Sequence, residues 1–549
     1  MSSKEEALVK ENSILKIDLE NTAVVERKSE NPFDKFNLSG DVIKTIDLKQ
    51  ILDNIEKAKN DDNIKAIYIN NSIVNSGLSQ IEEIRNKLLD FKESGKQIIA
   101  YSETYSQSAY YLSSIADKIY LNPEGIIEIK GFAAEIMFFK GLLEKLNIDI
   151  QIIRHGTFKS AVEPFTLDKM SPENKEQLIR LLNSIANNIM DSIASQRGFS
   201  LSEIQQHANN LSLENAQSCI ELNYVDALIY QDQVADSLVA VSGGDKLNLI
   251  SLNHYTNTKS REEEISRNKI AIIYATGTIK TGNGDDKSIG SATTAKAIKR
   301  AREDKNVKAI VLRINSGGGS ALASEVIWRE TILTKKAKKP LVVSMGDYAA
   351  SGGYYIACAA DSIVANPTTI TGSIGVFGMI PNLENFYKNK LGITIDRVNT
   401  NKSADMGINR PLTSFEKEKV QRSVESIYKT FISHVSEGRK MSKVAVNEIG
   451  QGRVWSGIDA KEIGLVDEIG GLEDAIVSAA ELSEIEDYRV ITLPKKTDEL
   501  EDLLKGFSLE HKIIFSEFLN ISEETIRQLK FLKSADKIQA RLPFLLDIR

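Results

Sequence analysis

One long segment of this chain is written twice. Tyr110-Tyr111-Leu112 reads against Tyr354-Tyr355-Ile356, 244 positions later, and the same offset brings Asp117 onto Asp361 and Asn122-Pro123 onto Asn366-Pro367. Asn63-Ile64-Lys65-Ala66-Ile67 echoes Asn306-Val307-Lys308-Ala309-Ile310, Lys159-Ser160-Ala161 echoes Lys402-Ser403-Ala404, and Tyr224-Val225-Asp226 echoes Leu465-Val466-Asp467. Small loop insertions account for the slight drift in offset. From Asn63 to Asp226 the unit exceeds 160 residues, far longer than a solenoid repeat, so each copy must build its own core. At the common offset Ser351 falls opposite Gln107. A candidate nucleophile therefore survives in one copy only.

A chain of 549 residues is too long for one core, and roughly 100–200 residues per domain suggests about three units, here two repeats and tails. The repeat pattern divides it into a lead-in over 1–40, a first repeat over 41–255, a linker over 256–268, a second repeat over 269–485 and an extension over 486–549. Within the lead-in, the apolar stretch from Ile14 to Val25 is expected to pair as an edge strand. In the second repeat Ile270 to Tyr274, Ala309 to Leu312 and Leu341 to Ser344 read as strands, while Ser291 to Arg302, Leu322 to Thr334 and Glu416 to His434 read as amphipathic helices. Strands alternating with helices predict an α/β class with parallel sheets, two domains in tandem. Leu500 to Leu542 reads as a charged helical appendix.

Hydrophobic residues make up 42% of the chain and charged residues 26%, the balance of a folded globular protein. A formal charge of −7 supplies no basic footprint, so nucleic acid is not an expected partner. Cys219 and Cys358 show neither metal nor redox spacing, and neither a metal nor a cofactor is expected. No apolar run reaches the length of a membrane span or a secretion signal. The polar start Met1-Ser2-Ser3-Lys4-Glu5-Glu6 suits a chain whose upstream anchor has been removed, and a cytosolic protein equally.

Ser351 follows a strand and a small-residue turn and precedes Gly352-Gly353, the layout of a nucleophile presented at a helix N-terminus. Free amides of a first helical turn can donate to a developing oxyanion. A second small-residue turn, Asn315 to Ser320, follows the strand ending near Ile314. Adjacent strand ends of a parallel sheet open on one edge, so amides of Gly318 and Gly352 are placed to bracket a carbonyl oxygen. The alternative is that these glycines only permit tight turns. No Gly-Lys-Ser/Thr ending follows them, which argues against a phosphate loop.

A serine hydroxyl needs a base. None of His155, His207, His254, His434 and His511 lies in a shared motif or a small-residue turn, so surface or packing roles are expected for them. Lysine serves if it is neutral. Its ordinary pKa near 10.4 means that working around neutrality costs about 4 kcal/mol, which burial away from carboxylates can impose. Lys159 and Lys402 both qualify, because both lie in the duplicated Lys-Ser-Ala triplet.

The motifs Ala349-Ala350-Ser351-Gly352-Gly353-Tyr354-Tyr355, Thr371-Gly372-Ser373-Ile374-Gly375, Gly452 to Gly457, Gly464-Leu465-Val466-Asp467 and Phe158 to Pro164, in this order of domains, resemble the signal peptide peptidase A (protease IV) family in its long duplicated form. The resemblance covers roughly residues 40 to 485. It implies a Clp protease/crotonase-like fold in each repeat, and a membrane-anchored serine endopeptidase that degrades hydrophobic peptides, cleaved signal peptides among them, on the periplasmic side of the bacterial inner membrane, its anchor absent from this sequence. It also implies Ser351 as nucleophile, Lys159 of the first repeat as base, Ser373 orienting the lysine, Gly318 in the oxyanion turn, and a homotetramer. Single-copy relatives take their lysine from the position of Lys402, so two lysines remain in play. Gly317 stands where a proline is common. The rival readings are a crotonase-like acyl-CoA enzyme and a non-catalytic binding scaffold.

Overall fold

A computed structural model describes residues 9–28, 44–258, 266–494 and 538–542. The chain packs as two units, one built from 1–132, 184–266 and 366–368, the other from 133–183, 267–365 and 369–549. The second unit thus holds Lys159 and its flanking segment, although that segment belongs to the first repeat by sequence.

The first unit is organised by a six-stranded parallel sheet in the order Ala227–Leu228, Lys118–Ile127, Gln97–Tyr105, Ile64–Ile69, Ser13–Ile17, Asn248–Ser251. Ser13–Ile17 pairs on both sides, with Ile64–Ile69 and Asn248–Ser251. The edge-strand expectation is thereby corrected. With Ile14, Leu15 and Ile17 fully buried, this strand is apolar on both faces, as an inner strand of a covered parallel sheet must be.

Within the eight-stranded main sheet of the second unit, five parallel strands repeat that order: Ser362–Ala365, Leu341–Ala350, Val307–Ser316, Lys269–Thr276, Arg489–Leu493, while Ile370–Gly372 also pairs with Leu341–Ala350 and carries Val454–Ser456 antiparallel. Each strand contributes alternately to two cores. Ile270, Ile272, Val311 and Val342 pack under the helix Leu472–Leu482, while Ala271, Ile273, Leu312 and Val343 face the opposite core. The helices Ser291–Glu303, Ala321–Lys336 and Ser414–Arg439 extend the three stretches read as amphipathic. Strand Arg489–Leu493 lies beyond the expected end of the repeat at 485, because the sheet needs it to cover Lys269–Thr276. A second sheet runs Ser288–Gly290, Thr278–Lys280, Gly318–Ser320, Ile538–Arg541, Val376–Asn382, Asp149–His155.

Two expectations fall partly outside the described residues. The linker 256–268 is described only at its ends, and most of the appendix from Leu500 to Leu542 is not described. Where the appendix is described, the helix is corrected to a strand, Ile538–Arg541, flanked on both sides by paired backbone. None of the described helices is long and apolar enough to cross a membrane.

Candidate active site

The strand Leu341–Ala350 delivers Ser351 to the start of the short helix Gly352–Ala357. Ser351 adopts φ 57° and ψ −113°, a left-handed backbone that costs a non-glycine residue about 1–3 kcal/mol and persists only where its surroundings enforce it. Two hydrogen bonds do so: its amide donates to Gly372 O at 2.8 Å, and its carbonyl accepts from Tyr355 N at 2.8 Å. Ser351 is fully buried. Its hydroxyl is enclosed with it.

That hydroxyl meets Lys159, whose Nζ lies 2.8 Å from Ser351 Oγ. The same amine lies 3.0 Å from Ser373 Oγ and 3.2 Å from Ser373 O. Lys159 has no exposed surface, and burial alone holds its pKa well below the ordinary lysine value. Lys402, by contrast, is exposed in the turn after Gly392. The Lys-Ser-Ala triplet is shared, but one copy is in the core and the other in solvent.

Local structure explains why the amine stays there. Gly452, at φ 81°, presses against the lysine backbone, and a Cβ on it would come within 2.7 Å of Lys159 N and Cα and 2.6 Å of its Cβ. Gly452 N donates to Ile374 O at 2.8 Å, Ser373 N donates to Arg453 O at 2.7 Å and Phe158 N donates to Gln451 O at 2.9 Å. These bonds tie the lysine loop, the Ser373 turn and the 451–453 turn together. The Arg453 guanidinium lies over the Phe158 ring at 3.8 Å. On the other flank Gln177 Nε2 donates to Phe158 O at 3.1 Å and to Ser160 Oγ at 3.0 Å. Buried Glu163 accepts from Ser171 Oγ at 2.6 Å and Asn174 Nδ2 at 3.0 Å.

Peptidase family S49 matches residues 90–242 and again 334–486, more than half of the chain. The chain belongs to peptidase family S49. Protease 4 of Salmonella typhi is 37% identical over 83% of this chain and 75% of its own length. Protease 4 of Haemophilus influenzae is 38% identical over 78% and 72%, and the chloroplastic serine protease SPPA of Arabidopsis thaliana is 32% identical over 90% and 74%. The chain is a serine protease of this family, with the S49 unit present twice.

The two S49 copies differ in backbone as well as in residue type. In the first unit the helix Gln107–Ser113 is capped by Ser106 at φ −65°, which accepts from Ala109 N. Gln107 Oε1 accepts from Gly131 N at 2.9 Å and Lys130 N at 3.1 Å. Gln107, the residue opposite Ser351, is a helical residue without positive φ whose side-chain amide is engaged.

The structure brings the two glycine turns of the S49 site together: a Cβ on Gly318 would fall 2.7 Å from Gly352 N. Gly318 N donates to Ser316 Oγ at 3.1 Å. Sequence reasoning quoted the motifs containing Gly375 and Gly452 without giving them a role. A Cβ on Gly375 would lie 3.2 Å from Lys159 Cδ, and the signal for both was a glycine beside a motif serine or arginine. Glu163 lies in the Phe158 to Pro164 motif without an assigned role, and Gln177 and Asn174 carry no sequence signal.

Proposed function

We propose that Ser351 and Lys159 form the Ser-Lys dyad of this serine protease, with Ser373 orienting the amine and the Gly352 and Gly318 amides receiving the oxyanion. The observation that carries the reading is a fully buried amine 2.8 Å from the hydroxyl of a serine held at positive φ. A neutral amine has two N–H groups and one lone pair. Ser373 O can only accept, so it takes one N–H. Ser373 Oγ takes the second and passes its own proton toward Gly452 O at 3.4 Å. The lone pair is left for the Ser351 hydroxyl proton, which makes Ser373 the group that aims the base.

In the reaction the Ser351 proton passes to Lys159 Nζ as the oxygen bonds to the peptide carbonyl carbon. The C–N bond then breaks, and Lys159 returns the proton to the leaving amine. Water repeats the sequence on the acyl-enzyme and frees Ser351. This chemistry uses only side chains and backbone of the chain.

Hydrophobic peptides, cleaved signal peptides in particular, are the proposed substrates, and the proposed setting is the periplasmic face of a bacterial inner membrane, in a homotetramer. The resemblance of the site motifs supports these finer assignments. Casein or signal-peptide hydrolysis by the full chain and by Ser351→Ala tests the chemistry: the substitution is expected to lower kcat at least about 1,000-fold, and equal rates would remove the proposal. Covalent labelling of Ser351 by a serine-directed acylating probe separates it from acyl-CoA chemistry on glutamates.

A further inference from the structure

The second sheet of the active-site unit contains a strand from neither repeat. Ile538–Arg541 runs between Gly318–Ser320 and Val376–Asn382, antiparallel to both. Its register sets Gly318 against Arg541, Gly319 against Ala540 and Ser320 against Gln539 on one side, and Phe377 against Gln539 and Gly378 against Ile538 on the other. Leu542 N donates to Gly317 O at 2.6 Å. Removing this strand would leave two facing edges about two strand spacings apart, a slot for one extended peptide.

The slot leads to the dyad. A Cβ on Gly318 would fall 2.2 Å from Ala540 O, and one on Gly352, the residue after Ser351, would fall 3.0 Å from the same oxygen. A backbone carbonyl of an extended segment thus packs against the two residues whose amides the proposed reaction uses. Gln539, Ala540 and Leu542 are buried. Gly317 makes room for the last of them, since a Cβ there would meet Leu542 Cδ1 at 3.1 Å. The glycine that stands where a proline is common therefore has a neighbour in this chain.

We propose that residues 538–542 hold the strand position of the substrate, so that the chain carries its own pseudosubstrate and an incoming peptide must displace it. The proposal rests on the Ser351–Lys159 reading for its catalytic consequence, and on the sheet register alone for the docking. Because the segment is covalently tethered, it competes at an effective concentration about millimolar or higher. The occupant it mimics is an extended peptide with a small residue, as buried Ala540 is, at the position paired with Gly319.

The test uses the full chain with Ala540→Trp and, separately, Leu542→Pro, which removes the N–H that bonds Gly317 O. In a Ser351→Ala background, a fluorescent peptide of residues 536–544 is expected to bind both variants about tenfold or more tightly than the parent. With Ser351 present, both are expected to lower KM for an added peptide at similar kcat. Equal peptide affinity and equal KM across the three chains would overturn the proposal. Altered binding with no hydrolysis by any chain supports docking and overturns the Ser351–Lys159 reading instead. Hydrogen exchange on the unaltered chain needs no variant: amides at 318–320 and 377–378 are expected to be protected without added peptide, and fast exchange there would also overturn the proposal.

Discussion

Lys159 concentrates the conflict between stability and chemistry at one residue. Burial holds its pKa well below 10.5, so the unfolded chain binds a proton that the folded chain gives up. Between the lowered folded value and 10.5 the unfolded state binds more protons, and folding stability therefore rises with pH across that window. Lys159→Met is expected to abolish hydrolysis yet raise the melting temperature at pH 7, with the gain shrinking as pH approaches 10.5. Thermal denaturation of both chains across pH checks this, and a lower melting temperature at pH 7 would contradict it. With Lys159 as the proposed base, kcat/KM is expected to climb as pH rises through the lowered lysine value and then level. Ser373→Ala removes an acceptor from that amine. Its expected signature is a kcat lowered about 10- to 100-fold with KM little changed, measured by steady-state kinetics.

At the scale of elements, two turns and one helix hold the lysine loop, rather than the lysine's own sequence. The 451–453 turn approaches so closely that only glycine fits at 452. Gly452→Ala is expected to cost about 1–3 kcal/mol through left-handed strain and collision with Lys159, read as a lowered denaturation midpoint, and to reduce kcat more than KM. The helix Pro172–Arg197 contributes Gln177, which satisfies Phe158 O and Ser160 Oγ on either side of the base. Gln177→Leu takes one donor from Phe158 O, which keeps Ser160 N, and one from the buried Ser160 hydroxyl, a cost of about 1–3 kcal/mol, and loosens the loop that positions the amine. A variant as stable and active as the parent would show that the helix only packs there.

Across the whole molecule, the S49 unit occurs twice and the proposed nucleophile once. Restoring the missing hydroxyl is not expected to restore the site, because residue 107 lies in the first turn of a helix capped by Ser106 and lacks the positive φ that holds Ser351. Gln107→Ser is accordingly expected to leave probe labelling at one serine per chain. Labelling of a second serine, located by peptide mass spectrometry, would mean that the strained turn is not required.

Periodicity and repetition were enough to read two α/β units with parallel sheets, since alternating apolar strands and amphipathic helices are local patterns. Ser351 was legible for the same reason: its strand, turn and glycines are contiguous. The residues alone left Lys159 and Lys402 equal, because burial is a property of what surrounds a side chain and the triplets are alike. Likewise Ser13–Ile17 reads as apolar wherever it lies, and only its two neighbours make it an inner strand. The grouping of 133–183 with the second unit, the enclosure of one amine and the strand at 538–541 are contacts between residues far apart in sequence. Such contacts set dielectric and proton affinity, which is why the chain's local text names the chemistry and its packing decides which atoms perform it.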